Sequence, residues 1–317
     1  MNYVGLQTQI WRNNSRSVIL LLSFPLLILG LTYLFFNLIN YGNVSRISES
    51  HAQFIAASPF VLGGVGLWFI IAWFSHSAMI RKATGSKTLD RKENKRVYNL
   101  FENLCISKGM KMPKINIIED DSLNAFASGL SDSTFTVSLS SGIINKLDDK
   151  ELEGVIAHEL THILNRDVRL LIVSIIFVGI FAFLSEMAFR TILRSGRWSR
   201  SSGKNKGSII PLLLIVLGLA LVGYLLSVLL KFAISRKREY MADAGAVEMT
   251  KNPEALASAL RKVSKDARIE AVERKDVAQL FIENPGEKNK KGFFSVFSGL
   301  FASHPPIDDR IEVLEQF

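Results

Sequence analysis

The sequence predicts a mainly α-helical protein in which membrane-spanning helices carry a small soluble part built around an antiparallel β-sheet. Three observations lead there. Four apolar runs, Val18 to Ile39, Phe54 to Ala78, Leu170 to Phe189 and Ile209 to Leu230, match the roughly 20 residues a helix needs to cross a hydrocarbon core. Between the second and third, residues 91–168 mix helical spacing with strand alternation. The chain is 48% hydrophobic yet 21% charged, the balance of membrane segments joined to a charged soluble part.

The first run is uncharged, too long for the apolar core of a cleavable signal and not followed by a small-residue cleavage pattern, so it reads as a retained span. The second is uncharged as well. Only Arg46 lies in the loop between them, whereas Arg81 to Arg96 holds seven basic residues. Basic residues stay on the cytoplasmic side, which places the N-terminus and everything from Arg81 onward there. The last two runs enclose Arg190, Arg194, Arg197, Arg200, Lys204 and Lys206 with no acid. If that hairpin crosses, its basic loop lies outside against the charge rule; if it enters without crossing, the conflict disappears. Either way the segments before and after it share one side. The net charge of +9 fits topology control and anionic lipid. No nucleic-acid-binding module is visible, so no nucleic-acid partner is expected. The single cysteine, Cys105, excludes an intramolecular disulfide and reads as a small buried apolar residue.

In the soluble part, Val97, Leu100, Phe101, Leu104 and Cys105 recur at helical spacing, and Met112-Pro113 ends that pattern. Lys114 to Asp120 reads as a strand. Asn124 to Leu130 and Ser133 to Ser140 follow, separated by Ser131-Asp132; Phe135, Val137 and Leu139 alternate with polar residues, the pattern of a half-buried strand. Two such strands around a short turn predict an antiparallel hairpin. Asp148, Asp149 or Lys150 opens the next helix with acids at its positive end. After the fourth run, Ser235 to Thr250 is helical, and Asn252-Pro253 opens a further helix with Leu256, Leu260 and Val263 on one face.

The chemistry sits in Val155 to Asp167, "VIAHELTHILNRD". His158 and His162, four apart, share a helix face and can converge on one ion. Glu159 lies about 100° around the helix, where it misses the ion but can serve as base to an activated water. With five histidines in the chain, this pattern is expected by chance in about four chains per thousand. The plainer reading is a helix with two surface histidines. A catalytic zinc needs a third protein ligand and an open position. Asp167 lies near the right face but more than two turns along, and reads as a helix-end or membrane-boundary residue. Glu239 and Asp243 share a face and return beside the histidines if the hairpin closes; Glu239 could then bind the ion and Asp243 take a histidine N–H. The alternative is an exposed acidic pair balancing Arg236, Lys237 and Arg238.

His158-Glu159-Leu160-Thr161-His162 with Asn165-Arg166-Asp167, Ser235-Arg236, Arg238-Glu239-Tyr240 and Ala242-Asp243, Asn124 to Ala127, and Ser303 to Pro306 with Arg310 together resemble the HtpX group of bacterial membrane zinc metalloproteases, relatives of the CAAX prenyl proteases. The resemblance spans nearly the whole chain. It implies a zincin-like domain facing the cytoplasm from the bacterial inner membrane, one Zn2+ held by His158, His162 and Glu239, Glu159 as catalytic base, and Asp243 supporting the zinc histidines. It also implies that Asn124, Ala125, Phe126 and Ala127 form an edge strand that pairs with substrate backbone, that His304 steadies the oxyanion, and that the task is quality control of damaged or misfolded membrane proteins. Without that context, His304 could simply fix the Pro305-Pro306 turn and Arg310 could be a surface charge or a local ion pair.

The expected organisation is therefore 1–80 as a membrane region with two spans (about 18–39 and 54–78), 81–168 as the cytoplasmic α/β part with edge strand and zinc helix, 169–234 as the apolar hairpin with two spans (about 170–189 and 209–230), and 235–317 as the cytoplasmic helical part that completes the site. Two rival classes make different demands. A scaffold or adaptor with structural zinc would fill all four ligand positions, commonly with cysteines. A transporter would carry charges within several spans, and Glu186 is the only acid in these runs.

Overall fold

The structure is a computed structural model that describes residues 6–41, 43–173, 214–223, 236–264 and 307–316, with single positions between 176 and 190. The rest of the basic loop, residues 191–206, and with it the full course of the apolar hairpin, lies outside the described residues. Two compact units emerge: residues 17–74 with 173–231, and residues 1–16, 75–172 and 232–317.

The first of these units is apolar. Helices α1 (Leu6–Ile39) and α2 (Arg46–Thr84) contain stretches long and apolar enough to cross a membrane, Leu21–Ile39 and Arg46–Lys82. Their large apolar side chains point outward: Leu26 is 68% exposed and Phe60 81%, an arrangement suited to lipid rather than water. Where α1 turns into α2, buried Asn40 donates to Ser50 Oγ at 3.1 Å and Gln53 Oε1 at 3.0 Å, and Ser50 Oγ donates to the Phe36 carbonyl. These bonds satisfy polar groups that hydrocarbon would leave unpaired. A shorter apolar helix, Leu214–Gly223, meets the Phe181 ring at Gly223, where a Cβ would collide with it.

The second unit holds the sheet: β1 (Lys87–Thr88), β2 (Lys114–Ile118), β3 (Ala125–Ser128) and β4 (Thr136–Ser140), in the order β1-β2-β4-β3. The sheet is mixed, not purely antiparallel as expected: β3 and β4 form the anticipated antiparallel hairpin, but β4 runs parallel to β2. The chain leaves β2 for the outer edge, forms β3 there, and returns between the two. The connecting loop, Gly129 to Phe135, is longer than Ser131-Asp132 alone. Gly129 has φ +124°, and a Cβ there would lie 2.6 Å from the Thr134 carbonyl oxygen. Central position also explains why β4 is buried on both faces, including Thr136, Ser138 and Ser140, instead of half-buried.

Helix α3 (Lys95–Ser107) is capped by Asn94 and buries Val97, Phe101, Leu104 and Cys105. Burial pushes the Cys105 thiol up to about 11, so it stays protonated and unreactive. After α4 (Ser141–Lys146), Asp148 proves to be the N-cap of α5 (Asp149–Leu164), with Asp148 and Glu151 forming a reciprocal capping box. Helix α5 is buried almost all round, against β3, α3, α6 (Arg236–Thr250) and α7 (Pro253–Val263). Close approach to α6 depends on Gly245, where a Cβ would strike Thr161. Asn252 and Pro253 cap α7 as expected, and Leu256, Leu260 and Val263 are buried.

Glu151 does more than cap. Its carboxylate accepts from Ser258 Oγ and Lys262 Nζ, each at 2.7 Å. Burial alone would raise its pKa, but the bonds from Lys262, Ser258 and the Asp148 amide outweigh that and hold it below the usual range. Glu151→Ala loses the reciprocal half of the capping box, the bond from the Asp148 amide, and leaves Ser258 and Lys262 without this acceptor. The expected cost is about 2 kcal/mol, read as a lower melting temperature of the detergent-solubilised protein. An unchanged melting temperature would mean that this link between α5 and α7 is dispensable.

Candidate metal centre

One turn of α5 places His158 and His162 side by side, as the four-residue spacing requires. Their Nε2 atoms are 3.2 Å apart. Helix α6 brings Glu239 opposite them: its Oε2 is 3.6 Å from His158 Nε2 and its Oε1 is 3.5 Å from His162 Nε2. One ligand atom from each residue lies within 4.8 Å of the others. Ligands on a tetrahedral ion at 2.0–2.1 Å stand about 3.3 Å apart, close to the separation of the two nitrogens and to that of each nitrogen from one Glu239 oxygen.

The far nitrogens are equally defined. His158 Nδ1 is 3.0 Å from Asp243 Oδ1, and His162 Nδ1 is 3.0 Å from Asp167 Oδ2. A carboxylate can only accept, so both Nδ1 atoms donate. In the neutral ring the Nε2 lone pairs then face each other, an arrangement that repels unless a cation meets both. Asp167 is thus no plain helix-end or boundary residue. It is 3% exposed and orients one histidine, as Asp243 orients the other. The left-handed backbone of Arg166, φ 61°, ends α5 and lets the next residue fold back. Sequence spacing along an ideal helix could not show that turn.

Charge points the same way. Glu159, Asp167, Glu239 and Asp243 are buried here, and among the described residues Arg238 and Arg310 are buried with them. With neutral histidines, four carboxylates against two guanidinium groups leave two negative charges in a desolvated site, which a divalent ion would cancel. Burial alone would lower His158. The Asp243 and Glu239 carboxylates overcome that and raise it to about 9, so the pocket draws a positive charge to this position. Burial raises Glu159, reinforced by Glu239 and opposed by the two histidines and by the Ala127 N–H that its carboxylate accepts. Burial also acts to raise Asp243, but Arg310 and His158 hold it below the usual range.

Arg310 is the largest revision to the sequence reading. It is not a surface charge: on α8 (Ile307–Leu314) it is 0% exposed, and it grips Asp243 with Nη2 to Oδ1 at 2.6 Å and Nε to Oδ2 at 2.9 Å. Glu239 and Asp243 are likewise not an exposed acidic pair. Asn124, Ala125, Phe126 and Ala127 lie at and just before β3, the outermost strand in the sheet order, and all four are buried. His304, with Ser303 to Pro306, lies outside the described residues.

Comparison with known proteins identifies the family of the chain. The sequence profile of peptidase family M48 matches residues 91–317. A protein of Bacteroides fragilis (strain ATCC 25285) named Protease HtpX homolog is 60% identical over the full length of both chains. Proteins of the same name from Listeria monocytogenes serotype 4a (strain HCC23) and Lactobacillus helveticus (strain DPC 4571) are 37% and 32% identical. The first alignment covers 79% of this chain and 84% of the relative, the second 98% and 99%. The crystal structure of S. mikatae Ste24p aligns over 96% of this chain and 66% of its own, at 19% identity and a TM-score of 0.44. The chain belongs to peptidase family M48 and is a metalloprotease that carries apolar helices of membrane-spanning length.

Proposed function

We propose that this protein is a zinc-dependent endopeptidase of the bacterial inner membrane that cleaves misfolded or damaged membrane proteins, with its site on the cytoplasmic side. The observation that carries the zinc site is the pair of imidazoles, each anchored by an aspartate at Nδ1 and each turned with Nε2 toward Glu239. In this reading His158, His162 and Glu239 hold one Zn2+. Such an ion supplies Lewis acidity, polarising the scissile carbonyl and lowering the pKa of the attacking water toward about 7. Glu159 takes the proton from that water and delivers it to the leaving nitrogen as the C–N bond breaks. A carboxyl raised by burial suits both transfers. His304 steadies the oxyanion.

The substrate backbone pairs with β3. The Ser140 amide donates to the Asn124 carbonyl, so in the alternating antiparallel ladder the amides and carbonyls of Ala125 and Ala127 point away from β4, where Asn124 Oδ1 accepts the Ala125 amide and Glu159 the Ala127 amide until substrate displaces them. Main-chain pairing of that kind accepts many sequences, as quality control demands. Because β3 is buried, a substrate segment reaches it only as the cleft opens. The cytoplasmic orientation rests on the basic residues from Arg81 to Arg96, and the division at residues 80, 168 and 234 follows the apolar runs. Chelation of the detergent-solubilised full-length chain should stop cleavage of an unfolded membrane-protein substrate, and added Zn2+ should restore it. Cleavage that persists after the metal has been stripped would refute the metal dependence, and no cleavage by the Zn2+-loaded chain would favour a scaffold with structural zinc.

A further inference from the structure

We propose, on the reading of His158, His162 and Glu239 as metal ligands, that Arg310 is a positioning residue. It sets how tightly the ion is held, with α8 locking the His158 arm of the site. The two arms are built from the same parts, histidine, aspartate and arginine, but with unequal contacts. On the first, Arg310 meets both oxygens of Asp243 in a planar fork, at 2.6 and 2.9 Å, and Asp243 accepts from His158 at 3.0 Å. On the second, Arg238 Nη1 stands 3.8 Å from the Asp167 carboxylate, beyond hydrogen-bond reach, and donates instead to the Asp167 carbonyl at 3.4 Å. The His158 side chain is 2% exposed and that of His162 13%.

Arg310 also reaches the ligand on α6 directly, with Nη1 3.5 Å from Glu239 Oε2. Glu239 and Asp243 are one helical turn apart and repel each other. A single guanidinium between them neutralises that repulsion and fixes which carboxylate faces the imidazole Nδ1 and which faces the ion. A lysine would supply the charge without the fork. Helix α8 is held firmly enough to do this. Leu314 is 1% exposed, Glu315 pairs with Arg261 of α7, and α7 is tied to α5 through Glu151. The helix with the histidines, the helix with the carboxylates and the last helix of the chain thus brace one another.

The test is Zn2+ competition against a chromogenic chelator, using the full-length chain in detergent, with thermal melting of the metal-free forms alongside. Arg310→Lys and Arg310→Met should each weaken Zn2+ binding about 10- to 100-fold, whereas Arg238→Lys should stay within about threefold of wild type. If Arg310→Met does not fold, Asp243→Asn, which keeps an oxygen for His158 but not the charge that Arg310 grips, should show the same loss. Wild-type Zn2+ affinity in Arg310→Lys and Asp243→Asn overturns the proposal, even if both melt at lower temperature, because the role would then be structural only. An equal loss in Arg238→Lys overturns the unequal arms. A wild type that binds no Zn2+ defeats the zinc site itself, a result distinct from either.

Discussion

Glu159→Gln retains its metal and loses hydrolysis, by about a hundred- to ten-thousandfold, the usual contribution of a positioned general base. The substitution is nearly isosteric. It keeps the carbonyl oxygen that can accept from the Ala127 N–H and removes only the capacity to take up and release a proton. Glu159 is buried and lies beside, not among, the three residues whose donor atoms converge. Metal content by elemental analysis should therefore match wild type while cleavage of an unfolded substrate disappears. Normal turnover in this variant would remove Glu159 from the mechanism. Loss of the ion would make it a ligand or a structural support instead.

Glu239→Ala gives the opposite pattern: the ion is lost first, and activity follows. The side chain supplies a carboxylate with Oε2 3.6 Å from His158 Nε2 and Oε1 3.5 Å from His162 Nε2. Without it the two histidines are left with only each other, and a pair of neutral ligands holds a divalent ion poorly. Zn2+ affinity should fall at least about a hundredfold, and metal after dialysis should drop from roughly one ion per chain to near none. His158→Ala should behave alike. A Glu239→Ala protein that keeps a full complement of metal would require a different third ligand, and among the described residues Asp167 is the acid to examine next.

The legible parts of this protein were those set by short-range periodicity. A four-residue spacing places His158 and His162 together on any α-helix, and the same rule pairs Glu239 with Asp243. Apolar runs of spanning length announce α1 and α2 because a span can satisfy its backbone only internally. Asn252-Pro253 caps α7 from purely local chemistry. Illegible parts depended on chain direction or on long-range closure. Strand alternation suggested that Phe135, Val137 and Leu139 faced a core, but nothing local could place β4 between β2 and β3, parallel to one and antiparallel to the other. Asp167 was visible as an acid near the motif, yet its role depended on a left-handed residue at Arg166. Only then does its carboxylate turn back on His162.

What the sequence determined by itself is the inventory: two histidines and a glutamate in five residues, a later pair of acids one turn apart, and apolar helices on which to mount them. Their spacing is a property of helix geometry and needs no neighbours. Only the tertiary structure decided which atoms meet. It brought Glu239 across from another helix to face His162, divided the duties of the two aspartates, one to each histidine, and drew Arg310 from the last turns of the chain into a fully buried fork on Asp243. Those choices come from desolvation. A carboxylate removed from water must find a proton, a donor or a cation, and in this packing every buried acid of the site lies within reach of one.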